Sequence, residues 1–204
     1  MKHSKKYNMS FTAASLMMNE MQITAELYLQ YKDWSKVREL VFSKRLLKTR
    51  TEATAVRYLR EARLRIDELS PEQTTLIASG STQDQRRIIW WSICKRYEFI
   101  KDFAMHVILP KFSSMDYAIT HVDYIQFFDE RAEADTSLKK LTESTLKKQE
   151  QVLFRMMREA EIVDSDSRII PISLSKTAIN ALMPDRPESF RVFTIPESVR
   201  RGLV

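Results

Sequence analysis

Glycine is almost absent from this chain: Gly80 and Gly202 are the only two glycines in 204 residues. Tight hairpin turns depend on residues that adopt a left-handed backbone easily, glycine above all, so a sheet built from such turns is poorly supported. Residues of strong helix propensity, such as Ala, Leu, Met, Glu, Lys, Gln and Arg, dominate instead. The sequence therefore predicts an all-α, mainly helical protein.

The amino-acid composition further limits the class of protein that this chain can belong to. A hydrophobic content of 44% over 204 residues is enough for one large or two small domains with apolar cores. The single cysteine, Cys94, excludes an intramolecular disulfide and a paired-thiolate zinc site, and its apolar surroundings predict a buried side chain. No run approaches the roughly 18 apolar residues of a membrane span. We expect a cytoplasmic protein without a membrane contact.

The first 70 residues have the outline of a helix-turn-helix unit. The pattern predicts helices over residues 11–31 and 34–46, a tight turn over 47–50, and a third helix that begins after Thr49 or Thr51 and ends before Ser70-Pro71. In such a unit the second helix of the pair lies in the major groove of DNA. Residues 1–70 are predicted to form an N-terminal helical domain, and residues 71–204 a second one.

Basic residues crowd the turn and the third helix. Arg50, Thr54, Arg57 and Glu61 follow a 4-3-4 spacing and should share one face. A helix surface that only faces water explains the same pattern equally well. The candidate DNA contacts in this segment are Lys48, Arg50, Thr54, Arg57 and Arg60.

The middle of the chain is strongly apolar. Residues 82–95 and 97–109 read as two helical segments rich in aromatic side chains, among them Trp90, Trp91 and Phe99. Aromatic clusters can stack on bases, but helical spacing without a regular row of basic residues favours core packing.

A second helix-turn-helix-like unit is predicted near the C-terminus. Thr142 is a candidate N-cap with Leu141 and Leu146 in staple positions, and a helix should run to about Ala160 behind a supporting helix at 123–131. Residues 162–172 resemble two short strands around a turn, which would make a small winged β-hairpin, and residues 190–195 a short strand or extended arm. The candidate DNA contacts here are Ser144, Thr145, Lys147, Lys148, Gln151 and Arg155, with Arg168 near the wing and Gln149 as a further polar candidate.

The sequence contains no residue pattern that is typical of a catalytic site. Neither glycine lies in a phosphate-binding loop, and His3, His106 and His121 are isolated from one another and from Cys94. The carboxylates Asp164 and Asp166 are better explained as turn residues, and Asp129-Glu130 as the exposed end of a helix. We therefore expect no enzymatic activity, no cofactor or metal, and no small-molecule substrate.

Several segments together resemble one protein family, the BrxA proteins of bacterial BREX phage-exclusion systems. The resemblance covers most of the chain and depends on Asn8–Ala13, Glu26-Leu27, Asp33-Trp34, Arg50-Thr51, Lys95–Phe103, Leu141–Thr145 and Val152–Ala160. It implies a small helical accessory protein of a defence locus, related in architecture to the NusB antitermination fold, that binds DNA without catalysis. It does not identify the residues that contact DNA.

Three hypotheses remain for the basic helices. The first is sequence-tolerant binding of double-stranded DNA, in which Lys and Arg neutralise phosphates. The second is an assembly adaptor whose basic helices dock onto acidic surfaces of other BREX proteins. The third is RNA binding, as in the NusB fold, although RNA recognition uses exposed aromatic side chains and most of those here should be buried.

Overall fold

The computed structural model describes residues 6–203, which form an all-α protein without a β-sheet. The prediction of an all-α fold is therefore confirmed. Contacts divide the chain into two compact units. The terminal unit comprises residues 6–15, Tyr97–Ser173 and 185–203, and the inserted unit comprises Leu16–Arg96 and Leu174–Pro184.

Six helices build the inserted unit. They are α1 (Met18–Tyr31), α2 (Trp34–Ser43), α3 (Glu52–Ile66), α4 (Pro71–Ser79), α5 (Thr82–Arg96) and α10 (Lys176–Leu182). Helix α1 packs against α2, α3, α4 and α5, and α10 packs on α4 and α5. Helix α5 is buried over most of its surface: Trp90, Trp91 and Cys94 are all in the core, as the sequence predicts. A helix that is apolar on several faces is expected at the centre of such a bundle.

The ends of these helices follow from local side chains. The Asp33 carboxylate accepts a hydrogen bond from the Ser35 amide at the start of α2, and Thr51 accepts one from the Thr54 amide at the start of α3. Ser70 and Gln73 form a reciprocal capping box at the start of α4. At Gly80 a Cβ atom would lie 2.5 Å from the carbonyl oxygen of Leu76, so the turn into α5 requires glycine.

Besides two short 3-10 helices at Ser10–Ala13 and Leu138–Lys140, the terminal unit contains the other α-helices and a π-helical turn. They are α6 (Glu98–Phe103), a π-helical turn (Ala104–Ile108), α7 (Leu109–Ser113), α8 (His121–Ala134), α9 (Glu143–Glu159), α11 (Glu188–Arg191) and α12 (Glu197–Arg200). Its core is an aromatic cluster in which Phe99 contacts Tyr7, Phe11, Phe127 and Phe128. These rings are buried, so core packing is the correct interpretation of the aromatic segment around Phe99.

Residues at the N-terminal end of the described chain are tied into this core. The Tyr7 amide donates to Asp135, and the Tyr7 hydroxyl donates to Asp102 over 2.7 Å. Burial and this hydrogen bond to a carboxylate raise the pKa of Tyr7 above its ordinary value, so the hydroxyl stays protonated. His3 lies outside the described residues.

The prediction of a winged β-hairpin is wrong, because residues 162–172 do not form a pair of strands. Val163 and Ile169 form an isolated antiparallel bridge, Ala118 and Arg168 form another, and no extended strands flank them. Asp164 does occupy the turn, where its carboxylate accepts from the amides of Asp166 and Arg168. The turn chemistry was therefore predicted correctly, but the flanking residues do not continue the ladder.

Two further expectations need correction. Residues 190–195 do not form a strand: α11 includes Phe190 and ends at Arg191, and an irregular segment follows. The tight turn predicted over 47–50 is a longer connection over residues 44–51, in which Arg45 and Lys48 adopt left-handed backbone conformations.

The compact units also differ from the predicted division at residue 70. Helix α4, just after that boundary, packs against α1, which lies before it. The inserted unit therefore extends through Arg96 and takes in α10 from much later in the chain.

Candidate nucleic-acid interface

The predicted contact residues are divided between the two units. Lys48, Arg50, Thr54, Arg57 and Arg60 belong to the inserted unit. The other seven belong to the terminal unit. Six of them lie on α9: Ser144, Thr145, Lys147, Lys148, Gln151 and Arg155. Arg168 lies after α9, where it is exposed and forms the isolated bridge with Ala118.

The first surface begins at the connection between α2 and α3. A cleft of about 600 Å³ lies here, and it is lined by Val41, Phe42, Arg45, Leu47, Lys48, Thr49, Arg50, Thr51, Glu52 and Ala55. Lys48 and Arg50 are exposed at the cleft. The apolar part of the lining is continuous with a local core cluster that includes Val37, Val41, Leu47 and Leu59.

Helix α3 continues this surface. Arg57 and Arg60 are exposed, Thr54 is half-buried, and the Arg57 guanidinium lies 5.7 Å from the centre of the Tyr58 ring. The predicted face is wrong at its far end, where Glu61 is buried and accepts a hydrogen bond from Arg65 over 2.8 Å.

Arg65 is fully buried and also donates to the Leu16 carbonyl oxygen, so this arginine stabilises the interior of the inserted unit. A buried arginine needs such a partner because an isolated charge in the core is very unfavourable. The charge count of the helix alone could not distinguish this arginine from the exposed ones.

The second surface is the outer face of α9. Thr142 caps the helix by accepting from the Thr145 amide, as predicted, and the helix ends at Glu159. Val152, Leu153, Met156 and Met157 are buried. The opposite face is exposed and carries Ser144, Lys147, Lys148, Gln151, Arg155 and Arg158. Helix α9 therefore has one buried apolar face and one exposed polar face.

Two residues near this face have other roles. The predicted polar candidate Gln149 is buried, and its amide nitrogen donates to the Met9 carbonyl oxygen over 3.0 Å, so it cannot reach a ligand at the surface. Glu150 accepts from His121 of α8 over 2.9 Å, which pairs the one carboxylate in the middle of the α9 surface with an exposed histidine.

Within residues 6–203, the basic side chains of both surfaces, and Arg168, lack acidic partners. Across the part of the chain that the structure describes, none of the following forms an ion pair with a carboxylate: Lys48, Arg50, Arg57, Arg60, Lys147, Lys148, Arg155, Arg158 and Arg168. The contrast is Lys36, Arg63, Lys101 and Lys111, which do. The exposed cations of these two surfaces are thus available to an external anion.

Among residues 6–203, no group of three or more His, Cys, Asp and Glu side chains is placed to hold a metal ion. No helix within the same range has the length and apolar character needed to cross a membrane. His106 and His121 are both exposed.

The fold and these surfaces define the class of protein: an all-α molecule with two helical units, each of which carries an exposed basic surface. Within that class the chain belongs to the BrxA family, whose family model matches residues 5–185. The resemblance noted in the sequence is thereby confirmed.

The proteins similar to this chain include the following two. One is "BREX protein BrxA" of Escherichia coli O9:H4 (strain HS), which is 24% identical over 167 residues, or 82% of this chain and 78% of that protein. The other is the crystal structure of an uncharacterized protein from Magnetospirillum magneticum, with a TM-score of 0.82 and 20% identity over 93% of this chain and 100% of that chain. The structural likeness shows a shared fold.

Proposed function

We propose that this protein is a non-catalytic component of BREX phage defence that binds duplex DNA through its basic helices. The role in defence is supported by membership of the BrxA family and by the name of the similar E. coli protein. The proposal of DNA binding depends on one observation above all: the exposed cations of α9 have no acidic partner in the described chain.

The unpaired charges argue for an anionic ligand because proteins usually intersperse both signs on a merely solvated surface. On α9, Lys148 and Arg155 lie two helical turns apart on one face, about 10 Å along the axis at 1.5 Å per residue. Gln151 lies between them on the same exposed face. A single α-helix fits the major groove of B-DNA, which is about 12 Å wide, so this face can approach phosphates on its borders.

We propose duplex DNA and not RNA as the ligand because the aromatic side chains in the core of the terminal unit are not exposed. Sequence-specific RNA binding normally uses exposed aromatic side chains that stack on unpaired bases. The aromatic side chains of the terminal unit that form its core, such as Phe99, Phe103 and Tyr124, are buried. The α9 surface offers cations and polar donors instead.

The direct test is a mobility-shift titration of the full chain against duplex DNA, single-stranded DNA and duplex RNA of equal length. Each titration is made at low and at near-physiological salt. We expect a preference for duplex DNA that weakens with salt. Absence of any shift with all three nucleic acids would contradict the proposal, and the adaptor hypothesis, in which the same cations meet acidic protein surfaces, would then replace it.

The α9 surface is tested by the double variant Lys148→Glu/Arg155→Glu. We expect duplex affinity to fall at least tenfold, because two attractive contacts become repulsive. A matched control is Arg186→Glu/Arg191→Glu, which makes the same charge change at exposed positions of the terminal unit outside α9. Equal losses in both variants would mean that only the net charge matters, and the α9 surface would no longer be the proposed site.

A further inference from the structure

The cleft between α2 and α3 combines two kinds of lining that a phosphate contact alone does not need. Its cationic part is Arg45, Lys48 and Arg50, and its apolar part is Val41, Phe42, Leu47 and Ala55. Thr49 and Thr51 also line the cleft, and Glu52 is the only carboxylate in the described lining. An apolar lining with a few placed polar groups is typical of small-ligand sites.

The cations are concentrated without local compensation. Arg45, Lys48 and Arg50 fall within six residues and none of them forms an ion pair within the described chain. Lys48 also lines a neighbouring cleft that contains Glu20 and Glu26, but neither carboxylate pairs with it. Three like charges at one cleft repel one another, so an anion bound there would relieve that repulsion.

The backbone of the cleft is strained at two of these residues. Arg45 has φ 48° and Lys48 has φ 46°, both in the left-handed region that L residues other than glycine adopt at a cost in free energy. Glycine would adopt these angles without strain, yet the chain has long basic side chains at both positions. Strain of this kind is often found at functional sites, where the side chain matters more than the local stability.

The size of the cleft indicates the ligand. Its volume of about 600 Å³ lies within the usual range for small-molecule sites. At the roughly 30 Å³ that a water molecule occupies in the liquid, a phosphate ion of five heavy atoms would leave most of that space to water. A nucleotide is several times larger than a phosphate ion, fits within this volume, and offers both an anion and a flat apolar base.

We propose that the α2–α3 cleft binds a nucleotide whose base is unpaired, with its phosphate on Arg45, Lys48 and Arg50 and its base against the apolar lining. The nucleotide can be free or can belong to an unpaired stretch of a DNA strand. This site goes beyond duplex binding through α9, because a mononucleotide presents neither a groove nor a row of phosphates.

The first experiment is calorimetric titration of the full chain with deoxyadenosine 5′-monophosphate, inorganic phosphate and deoxyadenosine. We expect the nucleotide to bind at least tenfold more tightly than either fragment, because only the nucleotide uses both parts of the lining. Phosphate binding as tight as the nucleotide, or no binding of the nucleotide at all, overturns the proposal.

The variants Lys48→Gly and Arg50→Gln locate the site. Each should weaken nucleotide binding at least fivefold, and Lys48→Gly should melt at or above the wild-type temperature because glycine removes the backbone strain. The matched control is Lys32→Gly: Lys32 has φ 50° at the end of α1 and does not line the cleft, so its variant should bind the nucleotide as the wild type does. Full binding by Lys48→Gly and Arg50→Gln would overturn the proposal.

A last comparison separates the two sources of nucleotide and keeps this site distinct from α9. A duplex with a single-stranded overhang should bind more tightly than a blunt duplex if the cleft takes nucleotides within a strand, and Lys48→Gly should abolish that difference. Equal binding of both duplexes, with the mononucleotide still bound, identifies the free nucleotide as the ligand. Lys148→Glu/Arg155→Glu should leave mononucleotide binding unchanged, so failure of duplex binding does not imply failure here.

Discussion

Some residues that would be candidates for nucleic-acid binding in the sequence have a packing role in the folded chain, and Trp91 and Lys95 are examples. Trp91 and Lys95 lie one helical turn apart on α5, where the indole is 2% exposed and the Lys95 ammonium lies 5.8 Å from its centre. Tryptophan and a basic residue are each candidates for nucleic-acid binding in an isolated sequence. Burial removes Trp91 from that list, and the contact explains the neighbouring lysine as a partner of the ring.

The structural role of Trp91 can be tested by Trp91→Ala. Loss of a buried aromatic side chain should lower the free energy of unfolding by about 3–5 kcal/mol, measured by urea denaturation. Met115→Ala is the control, because Met115 is 77% exposed and its truncation should change stability little. A Trp91 variant of wild-type stability with reduced DNA binding would instead place this residue in an interface.

At the scale of the element, α9 is the clearest case of a helix defined by its own sequence. The Thr142 hydroxyl accepts a hydrogen bond from the Thr145 amide in the folded chain, and the apolar residues of the helix face the core. We expect Thr142→Ala to lower the free energy of unfolding by about 0.5–2 kcal/mol, because an amide at the helix start loses its acceptor. Thr136→Ala, at an exposed position between α8 and α9, should change it by much less in the same denaturation experiment.

A second element, α8, is stabilised by charge. Lys111 donates to Asp116 over 2.7 Å and to Asp123 over 2.9 Å, and Asp123 also accepts from Thr120 in the capping box of α8. Burial alone would raise the pKa of Asp123, but the hydrogen bonds from Thr120 and Lys111 hold that pKa below its ordinary value. The pKa of Asp116 is lowered as well, chiefly by its hydrogen bond from Lys111.

These lowered pKa values determine how stability should depend on pH. A carboxyl whose pKa is lower in the folded chain stabilises it above the unfolded pKa, about 3.9 for Asp, and that stabilisation is lost as pH falls through the folded pKa. We expect Lys111→Met to flatten the loss of stability below pH 4, followed by thermal melting from pH 6 to pH 2. Lys36→Met, which removes an exposed pair with Glu39, should leave the profile near that of the wild type.

Which elements the sequence can predict depends on the range of the interactions that define them. Helix α9 and the caps at Asp33, Thr51 and Thr142 were predictable because spacing and capping act within a few residues. The exposure of Lys148 and Arg155 followed from the same spacing. The wing was not predictable, because whether residues 162–172 extend into a ladder depends on neighbours far away in the chain.

The candidate site was predictable to a similar extent. Spacing could not distinguish Arg65 or Gln149 from their exposed neighbours, because their partners are Leu16 and Met9, distant in sequence. The α2–α3 cleft had only a weak signal, a cluster of basic residues around a turn. Its apolar lining depends on how Val41, Leu47 and Leu59 pack together in the folded chain.

At the scale of the whole molecule, the path of the chain explains why its compact units are not divided at residue 70. The chain passes from the terminal unit to the inserted unit after Ser15 and returns to the terminal unit at Tyr97. Residues 174–184, which include α10, belong again to the inserted unit. A division by sequence position assumes that each unit is continuous. The inserted unit is discontinuous in sequence because α10 packs on α4 and α5. The local sequence pattern does not predict that contact.

The net charge of +6 also belongs to the whole molecule, and it must be separated from the effect of a specific surface. If about six phosphates are contacted, raising the salt concentration from 50 to 200 mM should weaken duplex binding on the order of 10³-fold. Long-range attraction by net charge and direct phosphate contacts both weaken with salt. The wild-type salt dependence alone therefore does not identify the contacts.

The slope of log affinity against log salt in the variants makes that distinction. Each lost phosphate contact lowers the steepness by about 0.9, so Lys148→Glu/Arg155→Glu should reduce it by roughly 2, whereas Arg186→Glu/Arg191→Glu should leave it close to the wild-type value. The measurement is fluorescence anisotropy with one labelled duplex at four or more salt concentrations. A fall in affinity for the α9 variant at unchanged slope would contradict direct phosphate contact, because the number of released counterions would then be the same with and without these two cations.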